Sequence, residues 1–105
     1  MRYAVVFVTA SNIKEARKIA SVVVKEHLVA CVNIIERIKS IYWWQGKMEK
    51  SAEVMLTMKT KISLAKKLIK KVKSLHSYTV PEIIMLPIID GNPDYLRWID
   101  RETKI

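Results

Sequence analysis

His76, Tyr78 and Glu82 lie within seven residues of one another, in the stretch His76-Ser77-Tyr78-Thr79-Val80-Pro81-Glu82. Imidazole nitrogen and carboxylate oxygen both coordinate divalent transition metals, so such a loop can converge on one ion or one small anion. The plainer alternative is that His76 closes a helix and Tyr78 packs on a sheet edge, and composition alone favours it. Cys31 is the single cysteine. A lone cysteine is usually a small buried hydrophobe; read functionally, it is a soft copper ligand or a nucleophile. A nucleophile needs a base such as His76 within hydrogen-bond reach, which spacing does not show. His27 reads as a partner for a helix C-terminus rather than a ligand. Met48, Met55, Met58 and Met85 are scattered, and core filling explains them better than Cu(I) binding.

Other chemistries are excluded. Two glycines, Gly46 and Gly91, make neither a P-loop nor a dinucleotide fingerprint. One cysteine and two histidines do not close a structural zinc site within one chain. No nucleophile, base and orienting group form a visible set, so an enzyme is the last reading.

Tyr42-Trp43-Trp44 runs straight into Gln45-Gly46-Lys47. Strand-like sequence flanks this run, from Cys31 to Trp44 and from Met48 to Thr60, which reads as a long β-hairpin with its largest apolar side chains at the tip. Aromatics beside lysines could stack single-stranded nucleic acid. Consecutive strand residues point to opposite faces, however, so the three rings do not make one platform. Burial of both faces in a contact between subunits is the preferred reading.

The elements that must position these residues follow from periodicity. Tyr3 to Thr9 is a buried strand. Asn12 and Glu15 form a capping pair for a helix ending near His27, with Ile13, Ala16, Ala20, Val23 and Val24 on its apolar side. Ala30 to Ile35 is a strand, bent at Glu36, Arg37 and Lys39 before continuing to Trp44. In the return strand Ala52, Val54, Leu56 and Met58 share a core face, while Glu53, Met55, Thr57 and Lys59 share a half-polar one. Ser63 is read as the cap of a second helix to Leu75. Glu82 to Ile89 is a strand with Pro87 at an edge, and Asp94 to Thr103 a closing helix. The order β-α-β-β-α-β plus a helix is an α+β, ferredoxin-like sandwich with a long β2–β3 hairpin, one domain over residues 1–105. Both main helices are expected on one sheet face, and the uncovered face is a second reason to expect self-association.

With a hydrophobic fraction of 50%, the chain has material for a real core. No apolar run is long enough to span a bilayer, so no membrane insertion is expected. The start of the chain is read as too short for a signal peptide, and a cytoplasmic location is expected by default. The net charge of +9 favours anionic partners. No acidic residue falls between Val54 and Pro81, where Lys59, Lys61, Lys66, Lys67, Lys70, Lys71 and Lys73 all lie. A solvated helix face accounts for them more simply than a nucleic-acid patch, so nucleic acid is not the expected partner.

Four blocks carry a resemblance: Ala30-Cys31-Val32-Asn33, Tyr42 through Lys47, His76 through Ile83, and Tyr95-Leu96-Arg97-Trp98-Ile99. In that order and spacing, over nearly the whole chain, they resemble the CutA family of divalent-cation tolerance proteins. The resemblance implies a stable homotrimer, similar to the PII signalling trimers, with clefts between subunits and sheets extended by the hairpins. It implies weak binding of copper (Cu2+) or another divalent cation, with His76, Glu82 and Cys31 as the metal ligands. Tyr42, Trp43 and Trp44 then belong to the trimer interface, and Tyr78 and Pro81 to the cleft loop. The alternative is a PII-like sensor or scaffold that binds a small anion or a protein, with the lysines supplying charge. Two positions depart from the family pattern: Ser77 replaces a loop proline, which loosens the loop, and Val8 replaces a cysteine proposed as a copper ligand in some members.

Overall fold

A computed structural model describes residues 2–104. Strand β1 (Tyr3–Ala10) alternates, with Ala4, Val6, Val8 and Ala10 buried. Helix α1 (Ile13–Lys25) starts where the Asn12 side chain accepts a hydrogen bond from the Glu15 N–H at 2.8 Å. The expected reciprocal bond is displaced by one residue: the Glu15 carboxylate accepts from the N–H and hydroxyl of Ser11. The helix closes with His27 in the left-handed region (φ 58°). The His27 N–H reaches the Val24 carbonyl and the Leu28 N–H the Val23 carbonyl, the paired bonds of a Schellman ending in which glycine is usual. The His27 ring bonds the Glu102 carbonyl at 3.0 Å. It therefore does serve a helix C-terminus, but that of the last helix.

Strand β2 (Cys31–Trp44) and strand β3 (Lys47–Lys61) form the hairpin. Gln45 and Gly46 both have positive φ (49° and 79°), as a two-residue turn matched to strand twist requires. The anticipated bend is a register shift between Ile35 and Ile38, with Arg37 at φ 62°. A short 3-10 turn, Ile62–Leu64, leads into α2 (Ala65–Leu75). Ser63 lies within that turn and makes no capping bond, which corrects the expectation above. Strand β4 (Ile83–Pro87) is an edge strand ending at its proline. Helix α3 (Pro93–Glu102) begins with Pro93 at its first position, and the Asn92 side chain accepts from the Asp94 N–H.

The sheet order is β2-β3-β1-β4, antiparallel throughout. One face carries α1 and α2, and Val6, Val8, Ile19, Val23, Leu56, Met58, Leu68 and Val72 form the core between them. The second face is not wholly bare. Helix α3 covers one end, where Tyr95 meets Cys31 and Asp100 meets Lys61. Ile35, Ile84 and Leu86 on that side stay exposed.

The pairing of β1 with β3 stops at Ala10 opposite Val54. Beyond it, Ile38–Trp44 and Lys47–Glu53 pair only with each other, so this part of the hairpin is a two-stranded arm. The core face of β3 accordingly ends at Val54. Ala52, expected in the core, lies on the arm and is exposed.

Candidate functional site

The root of the arm is where the chemistry-bearing residues gather. His76 follows the last turn of α2 with extended backbone, and its side chain is fully buried. Ring Nδ1 accepts a hydrogen bond from the Tyr78 N–H at 3.1 Å. Ring Nε2 lies 2.6 Å from the Thr9 carbonyl. The amide donor at Nδ1 assigns the proton to Nε2, which donates to Thr9. The imidazole thus ties the loop to the end of β1, and both its nitrogens are used.

Tyr78 packs on this ring, with centroids 4.7 Å apart. Its hydroxyl donates to Glu53 Oε2 at 2.8 Å. Burial, and then the hydrogen bond and charge of Glu53, push the Tyr78 phenol well above its ordinary range. Glu15 completes the group from α1. Its Oε2 accepts from the Ser77 N–H at 2.9 Å, and its Oε1 lies 3.8 Å from His76 Nδ1. Burial pushes the Glu15 carboxyl upward, but hydrogen bonds from Ser77 and Ser11 hold it below the ordinary glutamate range. The Ser77 N–H thus tethers the loop to α1. A proline at 77 has no N–H to offer Glu15, so serine exchanges ring stiffness for a tether to α1.

The sequence-derived ligand set divides. Glu82 is exposed at the mouth of a cleft. Cys31 is half-buried, with its Sγ 3.6 Å from the Tyr95 hydroxyl. Burial and the neighbouring Cys31 thiol push the Tyr95 phenol up to about 12. Cys31 pairs with Lys59, whereas Thr9, the partner of His76, pairs with Met55. Four residues of strand separate those positions, about 13 Å. Cys31 is therefore not brought to the His76 loop. Among the described residues no three His, Cys, Asp or Glu side chains form a metal-binding group. With both His76 nitrogens engaged, the donors of one subunit do not fit a divalent-ion site at His76.

The cleft measures about 930 Å³ and runs between the loop and the arm. Ser40, Tyr42 and Trp44 line it from β2, Glu53 from β3, and Tyr78 and Glu82 from the loop. Glu53, Glu15 and Thr9 are the site residues that sequence reading missed. Glu53 belongs to the half-polar face of β3 and reads as solvated; its burial comes from Tyr78, a partner 25 residues away. No local signal marks it, because the end of β1–β3 pairing beside it, at Ala10 opposite Val54, is set by the tertiary structure.

Fold and site together define a ferredoxin-like subunit with a projecting β-arm and a mixed polar and aromatic cleft at its root. The family model for the CutA1 divalent ion tolerance protein matches residues 4–102, and this chain belongs to that family. Protein CutA of Mus musculus is 48% identical over 98 residues, 93% of this chain and 55% of that protein. The chain thus spans about half the length of this relative. The divalent cation tolerance protein of Thermus thermophilus superposes with a TM-score of 0.95 at 45% identity, covering 97% of this chain and 99% of that one. The protein from Archaeoglobus fulgidus, described as a periplasmic divalent cation tolerance protein, gives 0.94 at 37% identity, with coverage of 97% and 99%. No described helix is long and apolar enough to cross a membrane.

Proposed function

We propose that this chain acts in divalent-cation tolerance as a homotrimer that binds, rather than transforms, its ligand. The observation that carries the assembly is the arm. A two-stranded ribbon alone is marginal in water, yet this one displays Ile41, Tyr42, Trp43, Trp44 and Met48, with Trp43 74% exposed. Apolar surface of this extent marks a contact site. An arm laid head to tail on a neighbour's sheet makes a ring where the rotation between subunits closes. Three subunits is the number that the family resemblance suggests.

Copper or another divalent ion is then weakly held cargo. Within this reading Glu82 at the cleft mouth is a donor, completed by groups from a second subunit, and His76 acts by holding the loop. Light scattering tests the assembly: a monomeric mass removes it. Calorimetry with Cu(II) on the native chain, Glu82→Gln and His76→Ala tests the ion. Stoichiometric heat that falls in Glu82→Gln supports the site. Equal heats in all three mean adventitious surface binding.

A second reading, a PII-like sensor or scaffold, is favoured by the cleft itself. A volume of about 930 Å³ with hydroxyl, carboxylate and aromatic lining suits a small molecule. Thermal-shift screening discriminates, because a ligand bound by the native state raises the melting temperature.

A further inference from the structure

The outer surface of α1 and α2 carries charge of one sign. Nine cations and two carboxylates lie on the two helices and on Glu26, which closes α1. This layer therefore holds +7 of the chain's net +9. Both carboxylates are engaged: Glu15 accepts from the Ser77 N–H, and Glu26 pairs with Lys71 at 3.3 Å. The other eight cations are exposed and have no ion-pair partner among the described residues.

Solvation accounts for the α2 lysines taken alone, but not for this uniformity. Helix α3 is also solvated, and it mixes Asp94, Arg97, Asp100, Arg101 and Glu102, with Arg97 paired to Asp94. Like charges four residues apart weaken a helix, yet Lys14 and Lys18, Lys66 and Lys70, and Lys67 and Lys71 all have that spacing. Lys66 and Lys67 also stand in the first turn of α2, where the helix dipole favours acids and none is present. All of these local costs fall on one face.

The fold makes that face a platform. The helices run antiparallel, since Ser77 beyond α2 meets Glu15 at the start of α1, while Lys71 meets Glu26 at its end. Lys14, Lys18 and Lys25 recur on the side of α1 opposite its buried residues, and Lys66, Lys70 and Lys73 do the same on α2. Two rows result, about 8–10 Å apart, the longer spanning about 16 Å. The face with exposed Ile35, Ile84 and Leu86 lies on the other side of the sheet, so a contact between subunits there leaves the platform free.

A flat array of point charges matches a flat array of phosphates. A duplex meets such a platform along one line, and single strands need stacking rings that it lacks. Base reading uses Arg, Asn or Gln, of which Arg17 alone is present on the face. Lysine is a compact charge without fixed geometry, and about four to eight basic residues on a helix surface are the footprint of anionic lipid binding. Apolar insertion is minor, because the large apolar side chains open on these helices are Val24 and Ile69, 40% and 37% exposed.

We propose that the outer face of α1 and α2 docks on a membrane surface rich in anionic lipid, with its two lysine rows lying on the headgroup phosphates.

The test is sedimentation of the full chain with vesicles of phosphatidylcholine alone and of phosphatidylcholine and phosphatidylglycerol in equal parts. Three variants each remove three charges: Lys66→Gln/Lys70→Gln/Lys73→Gln on α2, Lys14→Gln/Lys18→Gln/Lys25→Gln on α1, and Arg97→Gln/Arg101→Gln/Lys104→Gln at α3. Melting is followed on each; relief of like-charge repulsion keeps both helix variants at least as stable as the native chain, so lost binding is not lost fold. The native chain should sediment with the mixed vesicles and not with phosphatidylcholine alone, and added salt should release it. Each helix variant should bind at least tenfold more weakly, and the α3 variant within about twofold of the native chain. Equal losses in all three variants overturn the proposal, because net charge and not the platform then drives binding. Binding unchanged in either helix variant overturns it too, as does no binding to mixed vesicles at low salt. Tighter binding to a short DNA duplex than to the mixed vesicles overturns the lipid assignment and gives the platform to nucleic acid.

Discussion

Strand β3 has two fates along its length. From Val54 to Met58 its core-facing residues are at most 6% exposed, packed under α1 and α2. From Lys47 to Ala52 the same strand is exposed or only partly covered, and it pairs with β2 alone. The change falls where β1 runs out, at Ala10 opposite Val54. On the arm β3 itself is mostly polar, with Met48 and Ala52 among Lys47, Glu49, Lys50 and Ser51, and the apolar side chains Ile41, Tyr42, Trp43 and Trp44 stand on the paired β2. What also differs is the presence of a third strand and a helix layer. An apolar residue at the root is buried by its own chain, whereas Ile41, Trp43 and Met48 on the arm stay 65%, 74% and 61% exposed.

This contrast is open to direct attack, and the largest effect lies at the root. Leu56→Ala leaves a cavity in a fully buried position and should cost about 3 kcal/mol of subunit stability, read by denaturant unfolding. Trp43→Glu on the arm should instead lower the mass seen by light scattering while the far-ultraviolet circular dichroism stays unchanged. If Trp43→Glu unfolds the subunit, the arm belongs to the subunit's own core and the comparison collapses.

A smaller effect comes from the hairpin tip. Gly46 has φ 79°, with no neighbouring atom within 4 Å of an added Cβ. Strain rather than clash therefore sets the cost of Gly46→Ala, about 1 kcal/mol. Unfolding measurements should show a loss of that order. A loss several times larger would mean that the tip is packed against something.

The smallest effect is at the junction between the two regions. Glu15 is held below the ordinary glutamate range. Its contribution is therefore present above that range and lost as pH falls through the lower folded value. His76 already has the extended backbone, φ −86° and ψ 141°, that a following proline requires. Ser77→Pro removes the Ser77 N–H and hydroxyl, and with them the tether to Glu15. Stability measured from neutral to acid pH should fall less steeply in Ser77→Pro than in the native chain. Parallel acid profiles would show that the Ser77 bond does not set the Glu15 carboxyl.

Much of this molecule was legible in the chain itself. Alternation in Tyr3 to Thr9, helical spacing around Ala16 and Ala20, and the Gln45-Gly46 turn each declare a local preference. Those preferences agree with one another, so the βαββαβ order follows. The loop from His76 to Glu82 was legible as a place where functional groups are concentrated. Its use was not. His76 reads as a ligand because imidazole is a ligand, but its two nitrogens go to Thr9 and Tyr78. Ser63 reads as a cap because serine often caps, but a 3-10 turn intervenes.

The sequence alone determined the elements, their order and the family, because backbone preference and hydrophobic period act over a few residues. Tertiary structure alone decided where β1 stops supporting β3, and hence where core becomes arm. It also decided that Glu53 is buried, through a hydroxyl 25 residues distant, and that Cys31 lies away from His76. Burial and pairing depend on which segments meet across the fold, and no local pattern carries that information.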